Sequence, residues 1–308
     1  MRIVSLVPAG TEIVHALGLG RDLVAVTHDC DHPAPVRDLP KVTSSTIPEH
    51  ATSAQIDRLV RSAGERGEST FHLDAEALRS ARPDVVVGQT LCRVCAVTLE
   101  QLPATLSVPP MTIPLDGESI EGVLADIERV AGALGARRRG ERLVADLRRR
   151  LDAVAARVSE LTRPRVACLE WVAPIFNGGH WVPEQVAIAG GTDVLGTPGA
   201  RSGIVEWEAV IGARPDVLVV MPCGFRTERA IGEVRLLAAR PGWAELPAVR
   251  DGRVFAVDGS AYFSRPGPRL VDGVEILAGL LHPDAFPALP PEVAVRVPAV
   301  TPSPERAG

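Results

Sequence analysis

The sequence predicts an α/β fold of two lobes, each with a small, mainly parallel sheet flanked by helices, joined by one long helix. Three observations carry this. Short β-branched runs bounded by Pro or Gly alternate with stretches of helical periodicity in both halves. A stretch of helical spacing longer than any other separates the halves. One segment also recurs: Glu76-Ala-Leu-Arg-Ser-Ala-Arg-Pro-Asp-Val-Val-Val matches Glu208-Ala-Val-Ile-Gly-Ala-Arg-Pro-Asp-Val-Leu-Val, a helix, an Ala-Arg-Pro-Asp turn and a buried strand in each half.

In chain order, residues 2–7, 23–27, 84–88 and 111–113 read as strands of the first lobe. Residues 53–67 and 75–80 read as helices, the second behind an Asp74 N-cap with Leu78 facing inward. From 119 to about 161 apolar residues recur at helical spacing through Ile120, Val123, Leu124, Ile127, Val130 and on to Val158, with Gly135 or Gly140 as the point where the stretch would break. After Pro164 the pattern restarts, with strands at 165–170, 216–221 and 253–257 and helices near 183–189, 207–212, 229–239 and 269–281. The expected organisation is a first lobe at 1–117, a connecting helix at 118–162, a second lobe at 163–282 and a Pro-rich tail at 283–308, extended and without period.

Composition excludes several classes. Hydrophobic residues make up 46% and charged residues 23% of the 308, ordinary usage for a chain that folds. The net charge of −5 offers no field for nucleic acid, and the arginines around 137–150 alternate with apolar residues as a solvated helix face does. No apolar run is long enough to insert in a membrane. The first residues lack a leader-type segment, and five cysteines, an odd number in a chain of this size, favour reduced thiols; both point to the cytoplasm. No phosphate loop, Gly-x-Ser-x-Gly elbow or His-Glu-x-x-His occurs.

Three features together are similar to the helical-backbone substrate-binding proteins of ABC transporters, the cobalamin, siderophore and metal-ion receptors. They are Val4-Ser5-Leu6-Val7-Pro8-Ala9-Gly10-Thr11-Glu12 at the start, the repeated Arg-Pro-Asp unit, and Gly190-Gly191-Thr192-Asp193-Val194-Leu195. The resemblance spans roughly 1–282. It implies two rigid lobes of the class III periplasmic-binding-protein kind, a ligand held in the cleft between them, and a glutamate on each lobe that docks on an ABC permease. By position in the repeat those are Glu76 and Glu208. Without a leader or a lipoprotein cysteine, the chain looks like a cytosolic branch of this group.

The residues with chemistry gather at the ends of strands, where open α/β sheets bind ligands. Thr27-His28-Asp29-Cys30-Asp31-His32-Pro33 follows the second strand, and His28 and Cys30 suit zinc or another borderline metal such as iron. Cys92-Arg93-Val94-Cys95 lies just past a strand, where a helix start and Arg93 would lower a thiol pKa. Cys223 occupies the equivalent strand end of the second half, and alternation puts Cys168 and Glu170 on one face of its strand. Trp171 and Trp181, the latter after Gly178-Gly179-His180, suit stacking on a flat ligand such as a corrin. Arg265 and Arg269, next to the single tyrosine, Tyr262, suit an anionic group of that ligand. Pro8, Thr11 and Glu12, in the opening motif, join the ligand-binding set.

Two functions compete. In the first the protein binds cobalamin or another corrinoid or metal chelate, with Trp171 and Trp181 stacking. In the second it is a cytosolic metalloprotein or thiol-dependent enzyme whose Cys30, Cys92, Cys95 and Cys223, with His28 or His180, enclose a metal or cluster.

Overall fold

A computed structural model of the chain describes residues 1–90, 96–102 and 109–298. It divides into two compact units, Met1–Arg148 with Pro266–Pro268, and Arg149–Arg265 with the chain from Arg269 onward.

The first unit runs β1 (Ile3–Ser5), α1 (Pro8–Ala16), β2 (Leu23–Ala25), β3 (Thr43–Ser45), α2 (Ser53–Glu65), β4 (Phe71–Leu73), α3 (Ala75–Ala81), β5 (Val85–Gln89), β6 (Met111–Leu115), α4 (Ile120–Ala133) and the first half of α5 (Arg137–Val158). Its main sheet has the order β2-β1-β5-β6, every pair parallel. Val85–Gln89 is buried throughout, as a strand covered on both faces must be, and this is why it reads as a continuous valine run. Leu78 of α3 packs with Val4, Leu6, Val42 and Val86 in the core of this unit. The antiparallel ribbon β3-β4 is not anticipated by the sequence, since Thr43-Ser44-Ser45 carries no apolar alternation.

The second unit contains β7 (Arg165–Val172), β8 (Ile175–Asn177), α6 (Val182–Ile188), β9 (Thr192–Asp193), α7 (Trp207–Ala213), β10 (Val217–Val220), α8 (Thr227–Ala238), α9 (Pro247–Arg250), β11 (Val254–Val257), α10 (Gly259–Tyr262), α11 (Leu270–Leu281) and β12 (Ala294–Arg296). The sheet order is β12-β11-β10-β7-β8, with β9 beside β7. β9, β7, β10 and β11 are parallel, while β8 and β12 are antiparallel edges. β12 lies in the stretch expected to be a structureless tail. It pairs Ala294 with Val257, and Val297 just beyond it is buried in the core.

The repeat is physical as well as textual. Arg82 and Arg214 both adopt the left-handed conformation, with φ of 44° in each, and cap α3 and α7. Asp84 accepts the backbone N–H of Arg2 at 2.7 Å, and Asp216 accepts that of Arg165 at 2.8 Å. The Arg2 guanidinium returns to the Ala81 carbonyl as that of Arg165 does to the Ala213 carbonyl. Each Ala-Arg-Pro-Asp turn thus sews the end of a helix to the start of the neighbouring strand with the same two bonds.

The expected connecting helix is two helices. α4 ends in a Schellman motif: Gly135, at φ +67°, donates to Gly132 O at 3.2 Å, and Ala136 donates to Ala131 O at 2.7 Å. The break therefore falls at Gly135, and Gly140 lies inside α5.

Candidate functional site

In the first unit the parallel strands end at α1 and at the loop after β2. Pro8 occupies the first turn of α1, where its missing N–H costs nothing. Gly10 lets α1 lie against the sheet, because a Cβ there would stand 2.8 Å from Ser5 Oγ and 2.9 Å from Val87 Cγ1. Thr11 and Glu12 then turn into the unit and are buried. The Thr11 and Thr27 hydroxyls each lie 3.1 Å from Cys30 Sγ, and Cys30 is itself buried. His28 is half-buried, with Nδ1 2.7 Å from Thr43 Oγ1 and Nε2 3.5 Å from Asp29. Thr11 and Cys30 therefore satisfy one another inside the unit.

In the second unit the ends of β7 and β10 lie side by side, Cys223 N donating to Glu170 O at 3.1 Å. The Glu170 carboxylate accepts the N–H of Gly179 at 2.9 Å. Burial pushes its pKa up to about 7, against the pull of Gly179 and Ser202, with repulsion from Asp193 added. Asp193 accepts from Leu195 and Gly196 through Oδ1, while its Oδ2 is buried without a hydrogen bond; burial raises this carboxyl too. Cys168 between them is fully buried, and burial first, then these two acids, hold its thiol well above the usual range. It is a protonated core thiol rather than a nucleophile. The turn carrying His180 is set by sterics: a Cβ on Gly179 would stand 2.2 Å from Ser202 N, and His180 takes φ 51° with its N–H on Ala200 O.

The two tryptophans part company here. Trp181 is 6% exposed and its indole N–H donates to Phe263 O at 2.8 Å, so it is a core residue and not the stacking face expected of it. Trp171 stays only partly buried, with its ring edge-on to Phe225 at 5.2 Å between centroids. The Arg229 guanidinium lies 3.6 Å from the centre of the Phe225 ring. Phe225, in the turn before α8, and Arg229, in its first turn, thus support Trp171, an arrangement that only their spacing of four residues could have suggested. The Trp171 Nε1 is buried with no hydrogen-bond partner.

Arg265 is nearly buried, bonds Ser260 Oγ at 3.2 Å and sits by Asp258. Burial raises the Asp258 carboxyl, while the Ala261 N–H and the field of Arg265, Arg226 and Arg269 draw it down. Arg269 lies over the Tyr262 ring at 5.6 Å. Glu76 and Glu208 are exposed and occupy the same place, the second residue of α3 and of α7. Cys92 and Cys95 lie outside the described residues. Among the described residues no group of three or more His, Cys, Asp or Glu side chains could hold a metal ion.

The model of the periplasmic binding protein family matches residues 3–261. The chain belongs to this family. It is 26% identical over 298 residues to an uncharacterized ABC transporter substrate-binding lipoprotein, YvrC, of Bacillus subtilis, covering 92% of this chain and 81% of that one. It is 26% identical over 276 residues to a vitamin B12-binding protein of Vibrio parahaemolyticus, covering 89% and 86%. Among solved structures, the periplasmic heme-binding protein RhuT from Roseiflexus sp. RS-1, in apo form, superposes with a TM-score of 0.68 at 27% identity over 92% of this chain and 98% of that one. The α/β class with parallel sheets is thereby established, as is a ligand binder related to B12- and heme-binding proteins. The expected cytoplasmic location is overturned: the relatives are a lipoprotein and periplasmic receptors, which point outside the cytoplasm. The odd cysteine count does not fix the compartment: among the described residues Cys30 and Cys168 are each buried in the core of their own unit, where a thiol behaves as a small hydrophobe. No helix among the described residues is long and apolar enough to cross a membrane.

Proposed function

We propose that the protein is the receptor component of an ABC importer and that its ligand is a corrinoid or a related planar metal chelate. The observation that carries this is Trp171, a partly buried indole at the carboxyl end of β7, backed by Phe225 and Arg229. A flat macrocycle lies on such a ring, and Arg265 and Arg269 pair with its carboxylate or phosphate. The vitamin B12- and heme-binding relatives support the ligand class. Glu76 and Glu208 are the docking pair for the permease, supported by their equivalent, exposed positions in the repeat.

The test is calorimetric titration of the full chain with aquocobalamin and, separately, hemin. One of the two binds saturably at one to one, and Trp171→Ala weakens it by roughly tenfold, the upper end of what an aromatic contact contributes. Absence of saturable heat with both chelates refutes the reading.

A further inference from the structure

The second unit contains a groove that touches the ligand reading only at Tyr262 and the permease reading nowhere. It has a volume of about 520 Å³ and lies among the second half of α5, α11 and the segment that leads to β12. That is the size of a pocket for a small organic molecule, within the range of about 300–1,000 Å³. Its wall is apolar, formed by Val154, Ile276, Phe286, Leu289 and Val293, with Tyr262 at one side.

The charges around it are not equivalent. Arg150 is closed by two acids, bonding Asp272 at 2.5 Å and Glu275 at 2.8 and 2.7 Å. Arg157 makes no ion pair among the described residues; its guanidinium lies 4.8 Å from the centre of the Phe286 ring. Arg269 sits similarly over Tyr262. The Phe286 ring of the groove is therefore covered by a guanidinium that no acid closes among the described residues. A cation over a ring keeps its hydrogen-bond donors at the edge free for an anion.

We propose that this groove binds a small apolar anion, an alkyl or aryl carboxylate, with its body between Ile276, Phe286 and Leu289 and its carboxylate on Arg157. The reason is complementarity: an apolar wall favours burial of a hydrocarbon, and the cation at its rim favours one negative head.

The probe is 8-anilino-1-naphthalenesulfonate, an apolar anion of suitable size, titrated into the full chain by fluorescence and then displaced with decanoate. One saturable site is expected, displaced by decanoate. Arg157→Glu and Val293→Trp, which reverse the rim charge and fill the groove, each weaken it by tenfold or more, and Arg157→Lys restores most of it. Both Arg157 variants keep the wild-type unfolding temperature within a few degrees, since Arg157 is exposed. Dye affinity within twofold of wild type in both Arg157→Glu and Val293→Trp overturns the proposal, as does a site abolished by Trp171→Ala. Neither result depends on whether aquocobalamin or hemin binds, so this proposal and the chelate reading fail separately.

Discussion

Glu170 shows how one side chain couples the site to pH. Its folded pKa of about 7 lies above the value near 4.3 expected of an unfolded glutamate. The folded state therefore holds a proton that the unfolded state has released, and stability declines as pH rises from about 4.5 to 7, then levels off. Glu170→Gln keeps an acceptor for Gly179 and removes the charge. We expect wild type to be less stable at pH 8 than at pH 5.5, and the variant to recover on the order of 2 kcal/mol of that difference by urea unfolding at the two pH values. A variant that loses the same stability between those pH values as wild type would remove Glu170 as the source. Trp171 and Trp181 teach a related lesson, since both follow strand-end motifs with flat-ligand chemistry. Burial decides between them, and burial depends on Phe263 and α11, which are far along the chain.

Gly135 allows the conformational cost of a helix end to be measured alone. A Cβ at this position meets nothing within 4 Å, so Gly135→Ala is opposed only by the positive φ. The expected loss is about 1 kcal/mol, read from the urea midpoint at unchanged slope; no loss would show that α4 and α5 can end and start elsewhere. The repeated turns make the converse point. Arg82 and Arg214 hold the same left-handed conformation without being glycine, because the Asp84 and Asp216 bonds over-determine it. The ribbon β3-β4 and the edge strand β12 escaped sequence reading for one reason. Both are three residues long and are held by a partner strand rather than by their own pattern.

For the molecule as a whole, the receptor reading separates ligand binding from delivery. The double variant Glu76→Arg and Glu208→Arg should bind aquocobalamin or hemin as wild type does and yet fail to stimulate the ATPase of its reconstituted permease. Equal stimulation would rule the two glutamates out as the docking pair. The equivalent positions of the two glutamates were legible in the sequence because a repeat carries position as well as residue type. So were the alternation of strands and helices and the Asp74 cap, since both depend on local spacing and backbone chemistry, whereas the choice of Gly135 over Gly140 as the break was not. What the tertiary structure alone decided is exposure and partnership. It put Thr11 on Cys30, drew Trp181 into the core, set Phe225 and Arg229 behind Trp171, and left Arg157 over Phe286. These depend on contacts between residues distant in the chain, whose pairing no local spacing encodes.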